Sequence, residues 1–317
     1  MNISAFSHSK YRNNQHSGDD AMLIIPGKII AILDGATDPY TAQESSGRYA
    51  SHSIGEICAR LFSDKRMMES SSESILRAIS SHFAQQLKRK SFVYGPSTTL
   101  SLAFFMDQQV RVINIGDSGI RVNGTDVYCY HKPVDAITTT ARVAIYQCLK
   151  KTISEHDSLE QITREISFHG LERGLKCQFI NKHDVENILA DVLNQHGQPA
   201  IHQDIEQFIL KGIISQKVYA NREGHPLGFS TLNGNVPLMD DVIEATLNLE
   251  EVKTLEFFTD GYLTLPNGTK AQDWEKEHAR VEKIDLAKVS SFKNIKGSTS
   301  TEFFDDRSVI SVEMPMH

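Results

Sequence analysis

The chain has 317 residues, of which 40% are apolar and 23% are charged, and its formal net charge is -7. No apolar run approaches the ~18 residues of a membrane-spanning helix, and the N-terminus lacks a charged-then-apolar signal pattern. Nucleic-acid binders usually carry clustered basic residues, and no dense Lys/Arg block appears here. We therefore expect neither a membrane nor a nucleic acid as partner. The length allows two domains, or one large domain with an insertion.

The four cysteines are scattered along the chain without a CxxC pair. They are Cys58, Cys129, Cys148 and Cys177. A disulfide framework or a zinc knuckle requires closer or paired spacings. The cysteine pattern therefore favours a reducing cytoplasm.

The first third of the chain predicts a β-hairpin followed by two helices. Two short apolar runs, Ala21–Ile25 and Ile29–Leu33, flank Pro26-Gly27, a dipeptide that is typical of turns. Apolar residues then recur at helical spacing over about 42–62 and 73–88.

Further along the chain, the hydrophobic period alternates between two and 3.6 residues. Strands are predicted at 100–106, 110–115, 120–123, 243–247, 255–259 and 308–312, with a helix between 271 and 289. From about 133 to 220 the pattern is almost entirely helical. The whole predicts an α/β or α+β domain that is interrupted by a helical segment.

Aspartates lie at both ends of the predicted hairpin. Asp19 and Asp20 precede its first strand, and Asp34 ends the second. A two-residue turn would place Asp19 opposite Asp34, whereas a three-residue loop centred on Gly27 would place Asp20 there. Opposed carboxylates are destabilising unless a cation neutralises them.

Two later segments repeat this placement of aspartate at a strand end. Asp260 follows a predicted strand, and Asp305-Asp306 precede the last one. Oxygen ligands of this kind suit Mg²⁺ or Mn²⁺. The joint pattern predicts a divalent-metal site, although each aspartate alone is a routine turn or surface residue.

The order of these motifs resembles the bacterial metal-dependent serine/threonine protein phosphatases of type 2C. The resemblance covers residues 10–130 and 224–313 as an ordered series. Its motifs are the acidic pair Asp19-Asp20, Asp34-Gly35 after a strand, Gly95-Pro96-Ser97-Thr98-Thr99, Gly116-Asp117-Ser118, Thr259-Asp260-Gly261 and Asp305-Asp306-Arg307-Ser308-Val309. It implies an α+β fold, a four-layer αββα sandwich of two antiparallel sheets flanked by helices. The chain would then be a single domain over 1–317, with a helical insertion at 133–220.

The resemblance also implies a role for each aspartate. Asp34 would bridge two metal ions, the carbonyl of Gly35 would help to hold one of them, and Asp19 would be the acidic ligand of the second. Asp260 and Asp305 would complete the shell of the first. Asp20 would orient a metal-bound water, and Asp117 would hold a third, weaker metal together with Asp260.

The implied reaction is hydrolysis of phosphoserine or phosphothreonine on a protein by a water that two Mn²⁺ or Mg²⁺ ions activate. The substrate is expected to be a phosphoprotein, and a cognate serine/threonine kinase is a further expected partner in signalling.

Three features depart from the family pattern. Ala36 stands where many relatives carry a histidine that serves as general acid, and Thr37 or Asp38 are the neighbours that could assist. Arg12, the candidate phosphate-binding residue, lies further from the acidic pair than usual, with Lys10 and His16 as weaker candidates. The helical segment is long, and it either covers a sheet edge or forms a substrate-selecting lid.

Two other functions compete with this interpretation. Gly116-Asp117-Ser118-Gly119 resembles the nucleophile motif of trypsin-like proteases, but no histidine has a recognisable partner motif. A pseudophosphatase that acts as a regulatory binding module would explain the missing histidine. Retention of carboxylate at every expected ligand position favours an active enzyme, because unneutralised aspartates cost stability.

Overall fold

The computed structural model of this protein describes residues 1–13, 16–39 and 45–315. Its strands are β1 (Asn2–His8), β2 (Ala21–Ile25), β3 (Ile29–Leu33), β4 (Leu100–Phe105), β5 (Gln109–Ile115), β6 (Gly119–Val122), β7 (Asp126–Cys129), β8 (Ile243–Asn248), β9 (Thr254–Phe258) and β10 (Arg307–Glu313). Its α-helices are α1 (Ser46–Leu61), α2 (Lys65–Met68), α3 (Ser72–Leu87), α4 (Pro133–Leu149), α5 (His156–His169), α6 (Leu171–Lys176), α7 (Lys182–His196), α8 (His202–Lys211) and α9 (Ala271–Ile284).

The strands within the described residues form two five-stranded antiparallel sheets. One has the order β1-β10-β9-β6-β7, and the other has the order β2-β3-β4-β5-β8. Alternate residues of β3 serve different layers, as the period of a strand requires. Ile30 and Ile32 lie in the core between the two sheets, whereas Ile29, Ala31 and Leu33 face the helices.

Helices cover the outer face of each sheet. The helices α1 and α3 pack on the sheet that contains β3. The helix α9 covers the other sheet, where Trp274 stacks on Phe258 with ring centroids 4.7 Å apart. The layers are therefore helix, sheet, sheet and helix, and the predicted α+β sandwich is confirmed.

The hairpin of β2 and β3 adopts the second of the two registers that the sequence left open. Ala21 pairs with Leu33 and Ile25 with Ile29. Continued by one pair, this register sets Asp20 opposite Asp34. The loop geometry thus decides which member of the acidic pair faces the end of β3.

The helices α4 to α8 pack on one another around an apolar core of their own. A buried arginine of α4 ties them to the chain after α9. Arg142 donates to the carbonyls of Ala287 and Lys288 at 2.8 and 3.1 Å and pairs with Glu160. The assignment of 133–220 as an insertion within a single domain stays a prediction.

Three elements had no sequence signal. The strands β1 and β7 lie at the two edges of one sheet and are half exposed, so neither carries an apolar run, and α2 is a single turn. The predicted helix start near 42 falls outside the described residues. The described helix α1 begins at Ser46, because Ser45 caps it by accepting from the backbone N–H of Arg48. No helix in the described ranges is both long and apolar enough to span a bilayer.

Candidate metal centre

Seven aspartates, called here the aspartate cluster, gather where the ends of the two sheets meet. They are Asp19, Asp20, Asp34, Asp117, Asp260, Asp305 and Asp306. Three of them, Asp34, Asp117 and Asp260, each offer a carboxylate oxygen within 4.8 Å of the others. They come from the ends of β3, β5 and β9, so three distant parts of the sequence converge on one point.

The cluster strongly perturbs the protonation of its members. Burial, and then the charge of Asp306, raises the pKa of Asp20 to about 8. Burial and the neighbouring charges, Asp260 foremost for Asp34 and Asp305 foremost for Asp260, raise the pKa of both carboxyls well above their usual range. Loss of hydration and repulsion between like charges thus both disfavour the ionised form of these carboxylates.

The Gly-Pro-Ser-Thr-Thr motif fixes Asp34. The backbone N–H of Asp34 donates to Thr99 Oγ1 at 3.1 Å, and its carbonyl accepts from Thr98 Oγ1 at 2.7 Å. Thr99 Oγ1 also lies 2.6 Å from Ser118 Oγ, next to Asp117. The two threonines thus connect the end of β3 to the Gly-Asp-Ser turn.

Gly116 is required in that turn. Its φ is +82°, and a Cβ there would lie 2.7 Å from the Cγ2 of Thr99. A side chain would therefore clash with the threonine that holds Asp34, in a backbone conformation that glycine adopts most easily.

A second set of contacts fixes the acidic pair. Thr259 Oγ1 donates to Asp20 Oδ2 at 3.0 Å. Asp306 accepts from the backbone N–H groups of Asp19 at 3.0 Å and Lys10 at 2.6 Å. Asp306 therefore positions the segment that carries Asp19, a role that sequence reasoning did not assign to it.

Three lysines contact the cluster. Lys132 Nζ lies 2.8 Å from Asp117 Oδ2, and Lys296 Nζ lies 2.6 Å from Asp305 Oδ2. Lys10 Nζ lies 3.8 Å from Asp19 and 3.9 Å from Asp306. Lys132 and Lys296 carry no local motif, so the sequence analysis missed both, and it ranked Lys10 only as a weak phosphate-binding candidate.

The charge balance shows that the site suits divalent ions. Seven carboxylates less three ammonium groups leave a formal charge of four negative units, which two divalent ions would balance. Asp20 Oδ1 and Asp117 Oδ1 are buried and accept no hydrogen bond in the structure. Hard oxygen donors with unfilled valence are the ligands that Mg²⁺ and Mn²⁺ prefer, so the residues fit such ions.

The structure does not bring Arg12 into the cluster. Its guanidinium donates to Glu282 at 3.0 Å and to the carbonyl of Thr299 at 3.1 Å, and it stacks 3.9 Å from the ring of Phe303. Gly35, in contrast, is buried beside Asp34 and pairs with Thr98. The phosphate-binding role of Arg12 stays a prediction.

The residues beside Ala36 are already engaged. Thr37 Oγ1 accepts from Lys296 Nζ at 3.0 Å. Asp38 Oδ2 accepts from the backbone N–H of Ser46 at 3.3 Å, at the start of α1. Neither neighbour therefore stands free in the place of the absent histidine.

Two cavities open onto the cluster, and a third lies beside two of the lysines that contact it. The first, of about 230 Å³, is lined by Asp34, Asp117 and Lys132 together with Phe229 and Thr98. A second, of about 320 Å³, contacts Asp117 and Asp260. A third, of about 440 Å³, contains Lys10, Lys296 and residues of α5 in its wall. A substrate can therefore approach between the sandwich and the helices that follow β7.

A two-sheet sandwich in which carboxylates converge at one end, with an unbalanced negative charge there, is the class of structure that suits divalent-metal binding. The family comparison gives the particular family. The model of protein phosphatase 2C matches residues 8–285, and the chain belongs to that family. The resemblance drawn from the motifs is confirmed.

Solved structures of similar shape share little sequence with this chain. Serine/threonine phosphatase Stp1 from Staphylococcus aureus is 12% identical, with a TM-score of 0.48 over 99% of this chain and 94% of that one. The serine/threonine phosphatase PstP/Ppp of Mycobacterium tuberculosis is 12% identical, with a TM-score of 0.47 over 99% and 98%. The catalytic domain of PstP in complex with two manganese ions is 11% identical, with a TM-score of 0.46 over 98% and 97%. No curated protein sequence matches the chain.

Proposed function

We propose that this protein is a metal-dependent phosphatase that hydrolyses phosphoserine and phosphothreonine on proteins. The observation that carries the proposal is the buried aspartate cluster, with its four uncompensated negative charges and two unpartnered carboxylate oxygens. Family membership supports the same activity.

The residues that would hold the ions are the ligands that the sequence suggested. Asp34 would serve both ions. Asp260 and Asp305 would help to hold the first, Asp19 would help to hold the second, and the carbonyl of Gly35 would help to hold one of the two. A pair of divalent ions bound there would supply positive charge for the phosphate group and would lower the pKa of the water nucleophile.

The chain's own groups orient this arrangement. Thr98 and Thr99 fix the backbone of Asp34, and Thr259 fixes the carboxylate of Asp20. Asp20 is thus a fixed acceptor within the cluster, able to orient a water by hydrogen bonding. Lys10 and Lys296 line the third cavity and provide positive charge near a phosphate.

Ala36 cannot donate a proton to the leaving oxygen, and its neighbours are engaged. The leaving serine or threonine oxygen therefore takes its proton from water. The rate should then fall steeply as the leaving group becomes more basic, so p-nitrophenyl phosphate should react much faster than phenyl phosphate. A36H should flatten this dependence, because a positioned general acid contributes about 10²–10⁴-fold.

The activity is tested with p-nitrophenyl phosphate and a phosphothreonine peptide, each with Mn²⁺, with Mg²⁺ and with EDTA. We expect turnover that requires metal, is abolished in D34N and is retained in D107N, a matched change at an exposed turn aspartate. Turnover that survives both EDTA and D34N would place the chemistry at another site.

The pseudophosphatase alternative has one observation in its favour. A lysine contacts each of Asp19, Asp117 and Asp305, so the protein itself compensates part of the cluster's charge. On that alternative, folded protein would bind the phosphoprotein but release no phosphate with any metal.

A further inference from the structure

Lys132 differs from the other two lysines because it contacts a carboxylate oxygen of Asp117, one of the three aspartates that could share an ion. Its ammonium group bonds one oxygen of Asp117, while the other oxygen, Oδ1, is buried without a partner. Asp117 therefore presents only one free oxygen to Asp34 and Asp260, although the three carboxylates are close enough to share an ion.

The position of Lys132 is set by the helices that follow β7. Lys132 is the residue immediately before α4, and its side chain does not cap that helix. The ammonium instead reaches Asp117, with Asp135 at 3.6 Å and the ring of Phe229 at 5.8 Å. Residues before and after the helical segment thus hold one cation over the cluster.

The same ammonium faces the first cavity. Lys132, Asp34 and Asp117 share its wall, so a phosphate group next to Asp34 would lie close to a fixed positive charge. A lysine whose only role was to join the helical segment to the sandwich would not need to lie there.

We infer that Lys132 is a resident cation of the metal centre, which occupies the side of Asp117 that a further metal ion would need. The centre then holds two ions rather than three, and Lys132 supplies to the substrate phosphate the charge that a third ion would bring. The inference deepens the proposed phosphatase function and rests on it. It differs from the expectation that Asp117 and Asp260 hold a third metal.

The charge count supports this inference. With Lys132 in place, two divalent ions balance the cluster. Without it, the uncompensated charge increases by one unit and an oxygen of Asp117 becomes free. Removal of Lys132 should therefore create a third, weaker site.

The test is a calorimetric Mn²⁺ titration of the full chain. We expect two bound ions in the wild type and in K132R, and a third, weaker ion in K132M that is lost again in the double variant K132M/D117N. K217M is the matched control, since Lys217 lines the same cavity but is exposed, and its stoichiometry should stay at two. Because turnover in K132M would then depend on the weaker third ion, the Mn²⁺ concentration for half-maximal p-nitrophenyl phosphate turnover should rise about 10–100-fold in K132M and recover in K132R.

Three bound ions in the wild type, or an unchanged stoichiometry in folded K132M, would overturn the inference. If K132M does not fold, K132Q takes its place, with the same third ion expected. A wild type that binds two ions but hydrolyses nothing would remove the phosphatase proposal, while the Mn²⁺ counts would still decide the role of Lys132. Metal-dependent turnover together with three bound ions in the wild type would support the phosphatase proposal and overturn the role of Lys132.

Discussion

The molecule buries charge in two contrasting ways. In the pairs Arg121–Glu256 and Arg142–Glu160, each carboxylate meets an arginine and at least one further donor. Trp274 Nε1 donates to Glu256, and the backbone N–H of Gly297 donates to Glu160. The aspartate cluster has seven carboxylates, three lysines and two orphaned oxygens.

The difference separates structural charge from functional charge. A buried ion pair is tolerated when geometry and extra hydrogen bonds offset the loss of hydration. The carboxylates of the two arginine pairs meet that condition with groups of the protein alone, although Arg142 Nε is buried without a partner, whereas the cluster falls short by four positive charges. A buried region whose negative charge the folded protein does not compensate is suited to bind a ligand of positive charge.

The largest expected effect comes from breaking the cluster at its centre. D34N should lower metal-dependent turnover at least about a thousandfold, or ~4 kcal/mol in the barrier, because it removes the carboxylate proposed to serve both ions. The same change should raise the melting temperature of the metal-free protein, because it removes a like charge. Calorimetry in EDTA measures the second effect. A metal-free D34N that is less stable than the wild type would contradict the idea of uncompensated charge.

Removing a charge from an arginine pair should lower stability, whereas removing one from the cluster should raise it. R142M leaves Glu160 buried with less compensation, and it should cost about 3–5 kcal/mol of unfolding free energy. Urea denaturation measures the loss. R60M is the matched control, since the Arg60–Glu56 pair is mostly exposed and should contribute at most about 1 kcal/mol. Equal losses in the two variants would show that burial of the Arg142 pair adds nothing.

A smaller effect concerns pH. Burial raises the pKa of Asp20 to about 8 from its ordinary 3.8, so between these values the folded metal-free protein binds a proton that the unfolded chain does not. The stability that Asp20 contributes therefore grows as the pH falls below about 8, and it is lost as the pH rises through that value. The slope is at most about 1.4 kcal/mol per pH unit.

This dependence is measured as the difference in unfolding free energy between the wild type and D20N in EDTA, at several pH values. The advantage of D20N should be largest above pH 8 and should shrink on acidification. The exposed change D107N should show no such trend. A difference that does not vary with pH would mean that Asp20 is adequately compensated without metal.

The sequence was enough to predict that aspartates at strand ends lie close together, but not which lysines contact them. Asp34 and Asp260 follow apolar strands, and strand ends of one sandwich meet at a common edge, so a local pattern was enough. Lys132 and Lys296 are single residues in loops, and their positions depend on how the helical segment and the chain after α9 pack. No local period encodes such packing.

The same distinction holds for the fold. Strands such as β3 are buried on both faces and read as continuous apolar runs, so their bounds were predicted within a residue or two. The edge strand β1 alternates weakly and pairs with β10 at the far end of the chain, a contact that only the tertiary structure reveals. The hairpin register was narrowed to two choices, and the loop decided between them.

The smallest effect is expected at Arg12, and it tests whether the cluster recruits charge from its surroundings. The guanidinium is held by Glu282 and lies on Phe303, with about a third of the side chain exposed. R12M should therefore cost only about 0.2–1 kcal/mol of stability and should leave the KM for p-nitrophenyl phosphate within about threefold. E282Q removes the carboxylate that pairs with the guanidinium, and it should likewise leave KM within about threefold. If R12M raised KM tenfold and E282Q lowered it, Arg12 would leave Glu282 to bind the phosphate. Arg12 would then belong with the functional charges of the site rather than with the structural ion pairs.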